Sequence, residues 1–307
     1  MRAVAPPGGG ERRVLLCTHT GRPEAVVAAR EMLSRLMAAG MCVSVLPDES
    51  AELVSDGVDL ADATSPVSGC ELVVVLGGDG TILRGAELVR GTQVPLLGVN
   101  LGHVGFLAES ERDDLAATAQ RVVDRDYEVE ERMTLDVTVL VEGEVVDRSW
   151  ALNEASVEKA SSERMLQLVI EVDGRPLSTV GCDGVVLATP TGSTAYAFSA
   201  GGPVVWPQVE ALLLVPNAAH ALFARPLVVA PTSRLAVEVL DEGPGAAVMW
   251  CDGRRRFELA AGARVEATRG ELPVRLARLS RGPFTDRLVA KFRLPVHGWR
   301  GQAPGGS

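Results

Sequence analysis

Leu72-Val73-Val74-Val75-Leu76-Gly77-Gly78-Asp79-Gly80-Thr81 is the stretch on which the fold of this chain turns. Five apolar residues, three of them β-branched, read as a buried parallel strand, and the glycines that follow read as a tight turn. After Thr81, the residues Ile82, Leu83, Ala86, Leu88 and Val89 recur at helical spacing. An acidic residue therefore sits between glycines at a strand-to-helix junction. Glycines there let a polyphosphate approach backbone N–H groups, and a helix N-terminus favours anions. A carboxylate in that place repels phosphate, so it needs a task of its own. Accepting the proton of a hydroxyl that is about to be phosphorylated is such a task.

Outward from this turn, strand and helix alternate. Val14 to Thr18 reads as a strand, Pro23 to Ala39 as a helix stopped by Gly40, and Cys42 to Leu46 as a strand. Pro95 to Val99 is a further strand ending at Asn100, and Asp113 to Val123 a further helix. This pattern predicts a doubly wound, mostly parallel sheet with ligands at the strand C-terminal ends. The texture changes near Tyr127. Leu135 to Val139 alternates with period two, and Asp173-Gly174 is a hairpin turn signal. Short runs then recur at Leu235–Val239, Val248–Cys251, Phe257–Leu259, Arg264–Ala267 and Val274–Leu279. They predict an all-β, sandwich-like C-terminal domain. The expected organisation is a disordered tail over 1–12, an α/β domain over 13–126 and a β-rich domain over 127–280. The segment 281–307 follows, and the sequence leaves its docking on the first domain open.

The chain has 307 residues and a formal net charge of −10. That sign argues against general nucleic-acid binding. Lys159 and Lys291 are the only lysines; arginine supplies the other basic side chains. Cys17, Cys42, Cys70, Cys182 and Cys251 are odd in number and lack metal-ligand spacing, which reads as free thiols in a reducing compartment. No apolar run reaches the roughly 18 residues of a membrane span, and the cytoplasm is the expected location.

Further polar stretches stand out. The glycine–aspartate turn is not a P-loop, because no Gly-Lys-Ser/Thr follows, and not the dinucleotide fingerprint. Arg84, one turn into the helix, is either a phosphate contact or a solvated helix residue. Asn100-Leu101-Gly102-His103-Val104-Gly105-Phe106-Leu107 falls on the same sheet edge, with His103 read as a loop histidine. Asn153-Glu154 offers an amide for a base edge and a carboxylate for ribose hydroxyls. Thr189-Pro190-Thr191-Gly192-Ser193-Thr194-Ala195-Tyr196, preceded by Cys182-Asp183-Gly184, is a dense hydroxyl cluster suited to a nucleotide. Ser193 lacks the strand-to-elbow context of a hydrolase nucleophile. Cys251-Asp252-Gly253 before Arg254-Arg255-Arg256 reads as a hairpin turn with solvated arginines.

Together these motifs resemble those of NAD kinases of the bacterial, actinobacterial type, over nearly the whole chain from about Val14 to Arg300. Gly77 to Thr81 alone is shared with lipid kinases; the Asn-Glu pair with the Thr189 to Tyr196 run is far more specific. The resemblance implies phosphoryl transfer from ATP or polyphosphate to the 2′-hydroxyl of the adenosine ribose of NAD, in a site between the two domains. It implies Asp79 as base and Gly78, Gly80, Thr81 and Arg84 near phosphates. Asn153, Thr191, Thr194 and Ala195 are expected around the adenine and Glu154 at the ribose. Tyr196 and Ser199 belong to the same set, Asp183 to the nicotinamide end, and Arg164 to a variable ligand contact. A divalent cation, Mg2+, with unknown protein ligands is expected, as is a homodimer or homotetramer. A lipid or sphingoid-base kinase, or a non-catalytic NAD(P) sensor, remains the alternative at this level.

Overall fold

The structure is a computed structural model describing residues 11–101, 105–108, 110–111, 114–160, 165–240, 247–279 and 282–296. It opens with β1 (Arg13–Thr18), α1 (Pro23–Ala38), β2 (Cys42–Val45), the short α2 (Ser50–Leu53) and β3 (Val58–Leu60). There follow β4 (Leu72–Leu76), α3 (Asp79–Val89), β5 (Leu96–Asn100), β6 (Ser110–Glu111), α4 (Leu115–Val123) and β7 (Glu128–Arg132). Pro23 opens α1, whose buried residues Ala25, Ala28, Ala29, Met32, Leu33 and Leu36 form one stripe at helical spacing.

The second run is β-rich: β8 (Leu135–Val141), β9 (Glu144–Ala151), β10 (Glu154–Lys159), β11 (Leu166–Val172), β12 (Arg175–Cys182) and β13 (Gly184–Ala188). After the short α5 (Tyr196–Ser199) come β14 (Leu212–Asn217), β15 (Leu227–Val229), β16 (Leu235–Val239), β17 (Ala247–Cys251), β18 (Arg255–Leu259) and β19 (Arg264–Arg269). The chain ends its described part with β20 (Val274–Arg278) and α6 (Phe284–Phe292).

Two compact units result, one of residues 1–130 with 275–307 and the other of 131–274. In the first, the sheet runs β3-β2-β1-β4-β5-β20-β7, with β6 beside β5. The pairs β1–β2, β1–β4, β2–β3, β4–β5, β5–β6 and β5–β20 are all parallel. Val14, Leu16, Val74, Leu76, Leu97 and Val99 share a core cluster with α1 and α4. On the opposite face α3 lies so close that a Cβ at Gly85 would strike Val75 and Leu96. Helices thus cover both faces, as alternating β and α segments with buried strands require.

Two features differ from the sequence reading. Val274–Arg278 was expected in the β-rich domain, yet Leu276 pairs with Leu96 in the parallel sheet. Its alternation fits either sheet, so pattern alone could not assign it. Arg12, expected in the tail, belongs to the fold: its guanidinium grips Glu71 and donates to the Val122 and Val123 carbonyls. Residues 1–10 lie outside the described residues.

The second unit holds two six-stranded antiparallel sheets, β15-β14-β13-β10-β17-β18 and β12-β11-β16-β19-β8-β9. Their facing residues, among them Leu135, Val137, Leu168, Val237, Val157, Leu187, Leu214 and Met249, form one core cluster. Val186, Ala188, Leu213 and Val215 point the other way and receive Ala197, with Tyr196 packed alongside. Among the described residues no helix is long and apolar enough to cross a membrane.

Candidate functional site

In the first unit, three neighbouring parallel strands end at one cleft of about 330 Å3. His19 follows the end of β1, Gly77 and Gly78 the end of β4, and Asn100 and Leu101 close and follow β5. Two helix N-termini border the same cleft, α1 through Arg22, Glu24 and Ala25 and α3 through Asp79 and Thr81. The positive ends of the two helix dipoles make this edge attractive to anions. Side chains added at Gly78 or Gly80 would meet only open space, so the turn leaves its backbone accessible.

Asp79 is the chemical centre of the cleft. Its Oδ1 is buried and has no hydrogen-bond partner among the described residues. Buried carboxylate oxygens are nearly always satisfied, so an orphan one in a residue that lines a cleft marks a carboxylate placed for something other than fold stability. Gly105 makes room for it, since a Cβ there would fall on Oδ1. What that glycine admits is the catalytic candidate itself. Gly102 and His103 lie outside the described residues.

Arg84 does not line this cleft. Its Nη1 donates to Glu49 Oε1 at 2.8 Å and its Nη2 to Asp48 Oδ2 at 2.6 Å. Glu49 also accepts the Thr18 N–H at 3.0 Å. Burial pushes the Glu49 carboxyl up to about 7, against the lowering pull of that N–H and of Arg84. Arg84 ties α3 to the segment after β2, a role that its position in the sequence does not reveal.

In the second unit, Asn153, Glu154 and Thr191 are buried and come together. Thr189 joins the two motifs: its Oγ1 donates to the Leu152 carbonyl at 2.6 Å, and its N–H donates to the Asn153 carbonyl at 2.9 Å. The Gly192 N–H in turn donates to Thr189 Oγ1 at 3.1 Å. A Cβ at Gly192 would overlap the Asn153 backbone, so only glycine allows this approach. Ser193 is wholly buried and donates to the Pro190 carbonyl at 2.7 Å, so its hydroxyl staples the loop. Thr194 Oγ1 donates to the Thr191 carbonyl, and Ala195 lies half-buried beside it. The Tyr196 N–H donates to Glu154 Oε2 at 3.3 Å, and the Tyr196 hydroxyl accepts from Asn217. Ser199 ends α5, exposed. Asp183 takes the Lys159 ammonium at 2.5 Å. Arg164 lies outside the described residues.

Asp252 is the residue whose importance the sequence concealed. It sits at φ 55° in the β17–β18 turn, as Asp-Gly hairpins require. Its buried carboxylate accepts the N–H groups of Leu152 at 2.9 Å and Asn153 at 2.7 Å, and takes Arg255 at 2.9 Å. Arg255 was expected to be solvated, but it also lies 4.6 Å from the Trp150 ring centroid. Burial, and then the neighbouring Asp252 carboxylate, push Glu154 up to about 8. The signal available was only an Asp-Gly pair, which marks a turn and says nothing of where the aspartate points.

Comparison with known proteins finds one family for both units. A family model described as the ATP-NAD kinase N-terminal domain matches residues 14–127, and one described as the ATP-NAD kinase C-terminal domain matches residues 152–279. "NAD kinase 2" of Streptomyces coelicolor is 62% identical over 293 residues, covering 94% of this chain and 97% of that protein. The NAD kinase of Leifsonia xyli is 61% identical over 296 residues, covering 95% and 97%. Among solved structures, an NAD kinase from Archaeoglobus fulgidus in complex with ATP superposes with a TM-score of 0.68 at 26% identity, over 92% of this chain and 98% of that one. Yeast NADH kinase complexed with NADH shares the fold, with a TM-score of 0.85 at 24% identity over 95% and 90%. With both of its units matched and relatives this similar along nearly their whole length, the chain belongs to the NAD kinase family.

Proposed function

We propose that Asp79 is the base in the conversion of NAD to NADP, the ATP-dependent reaction that membership of this family gives the chain. The observation that carries the residue assignment is the unpartnered Oδ1 of Asp79, buried at the mouth of two helix N-termini. The 2′-hydroxyl of the adenosine ribose donates its hydrogen bond to the Asp79 carboxylate. As the ribose 2′-oxygen attacks the terminal phosphorus of ATP, the new O–P bond forms, the bond to the ADP oxygen breaks, and the proton passes to Asp79. In a loose transition state the hydroxyl loses its proton late, so an ordinary carboxylate suffices. Its contribution should be about 10²–10⁴ in rate. The backbone N–H groups at the starts of α1 and α3 supply part of the stabilisation of the phosphoryl charge.

Asn153, Glu154, Thr191, Thr194, Ala195, Tyr196 and Ser199 hold the adenosine half of NAD in this proposal, and Asp183 the nicotinamide half. The buried, mutually braced Asn153–Thr191 region supports it. Arg84 serves as a brace for α3. Among the described residues no three His, Cys, Asp or Glu side chains gather as a metal cage. In this proposal the divalent cation, Mg2+, enters with the donor as the magnesium complex of ATP. Polyphosphate as a second donor, a homodimer or homotetramer, and a cytoplasmic location supported by five free thiols complete the proposal.

Asp79→Asn tests the centre of it. NADP formation should fall by at least about 10²-fold while NAD binding and the melting temperature stay near wild type. Near-normal turnover in the folded variant would remove Asp79 from its role. Nucleotide binding without turnover by the wild type, with ATP and polyphosphate each tried with Mg2+, would favour a sensor.

A further inference from the structure

Helix α6 comes from the far end of the chain, yet its Lys291 lines the cleft that holds Asp79. Only one other lysine exists, Lys159, and it lies in the second unit. None of the residues of α6 is buried. The helix is nevertheless fastened at both ends to one side chain. The ring of Phe106 lies 6.0 Å from that of Phe284, the first residue of α6, and 5.8 Å from that of Phe292, the last. Arg287, midway, donates to the Phe106 carbonyl at 3.1 Å. Phe106 directly follows Gly105, which abuts Asp79 Oδ1. One dipeptide thus touches the carboxylate with its first residue and carries the C-terminal helix with its second.

We propose that Lys291 binds a phosphate of ATP that is not transferred, and that the Gly105–Phe106 clasp sets the position of this ammonium relative to Asp79. The inference rests on the reading of the Asp79 cleft as the place of phosphoryl transfer. The chemistry fits the place. An ammonium on a long stem is a compact charge with three donors, suited to a phosphate oxygen. In a chain of net charge −10, a trianionic or tetraanionic donor needs such local cations. Lys291 and Arg22 line the same cleft as the β4–α3 turn and supply them.

The test is steady-state kinetics of Lys291→Met and Lys291→Arg with ATP varied at saturating NAD, and then NAD varied at saturating ATP. Loss of a charge-assisted phosphate contact should raise the KM for ATP about ten- to a hundredfold in Lys291→Met. The KM for NAD should stay within about twofold, and Lys291→Arg should restore most of the ATP affinity. Phe106→Ala, which leaves Lys291 in place but releases α6, should raise the ATP KM in the same direction. Melting curves and titration with magnesium-ATP in the Asp79→Asn background separate the two claims. Weaker ATP binding on adding Lys291→Met there supports the donor contact whatever the fate of Asp79 as base. An unchanged ATP KM in a folded Lys291→Met overturns it, even with Asp79→Asn inactive. Equal losses for the NAD and ATP substrates, unrescued by arginine, also overturn it, because they mark a structural role only.

Discussion

At the scale of single residues, the site depends on two glycines that admit another group rather than a turn. Gly105 leaves space for Asp79 Oδ1, and Gly192 leaves space for the Asn153 backbone. Gly105→Ala should push the carboxylate off its line. A displacement near 1 Å costs about 10²-fold in rate. We therefore expect kcat to fall by about that factor with the KM for NAD nearly unchanged, and a normal kcat in the folded variant would show that Asp79 tolerates displacement. Much of this was legible beforehand. Asp79, Asn153, Glu154 and Thr191 could be named because glycine turns and polar pairs leave a local signature. The contacts of Asp252, Gly105 and Lys291 could not be read, because each lies against a part of the chain far away in sequence, and nothing in the local pattern records what a side chain will meet. Arg84 shows the converse. Its place one turn after the phosphate turn suggested a ligand contact, but Glu49 and Asp48 reach it first.

At the scale of elements, the β17–β18 turn braces the strand start that presents Asn153 and Glu154. Asp252→Ala would take this acceptor from the buried N–H groups of Leu152, Asn153 and Glu154 and the ion partner Asp252 from Arg255. Breaking a buried pair of this kind costs about 3–5 kcal/mol. Urea unfolding should show a loss of that order, and the KM for NAD should rise alongside. A loss under about 1 kcal/mol would mean that water replaces the carboxylate easily. The element pattern itself was read well where periodicity is strong: α1 with its proline start, β4 with its apolar run, and the Asp173-Gly174 hairpin, whose two residues have φ of 53° and 74°. It misassigned β20. A five-residue strand of alternating character carries no mark of which sheet will take it, and only the long-range pairing of Leu276 with Leu96 decides.

At the scale of the whole molecule, each unit buries a glutamate whose proton is held unusually firmly, Glu49 in the first at about 7 and Glu154 in the second at about 8. In both the leading cause is burial, which disfavours the charged form. The unfolded chain returns these groups to the ordinary glutamate value near 4.5. Between the unfolded and folded values the folded protein binds more protons, so stability falls as pH rises through that window. The contribution is full below the unfolded value and lost above the folded one. Glu71 runs in the opposite sense. Although burial pushes it up, Arg12 and Arg125 together hold it below its usual range, so its contribution is lost only on acidification. The two effects therefore occupy different pH ranges and can be read separately. Glutamine imitates the neutral carboxyl, so Glu49→Gln and Glu154→Gln should each melt close to wild type near about pH 5 and above it near about pH 8. The gap should open up to about pH 7 for the first and up to about pH 8 for the second. A gap that stayed constant across the range would show that both carboxyls are already ionised in the folded protein, with Arg84 and the Tyr196 N–H outweighing burial.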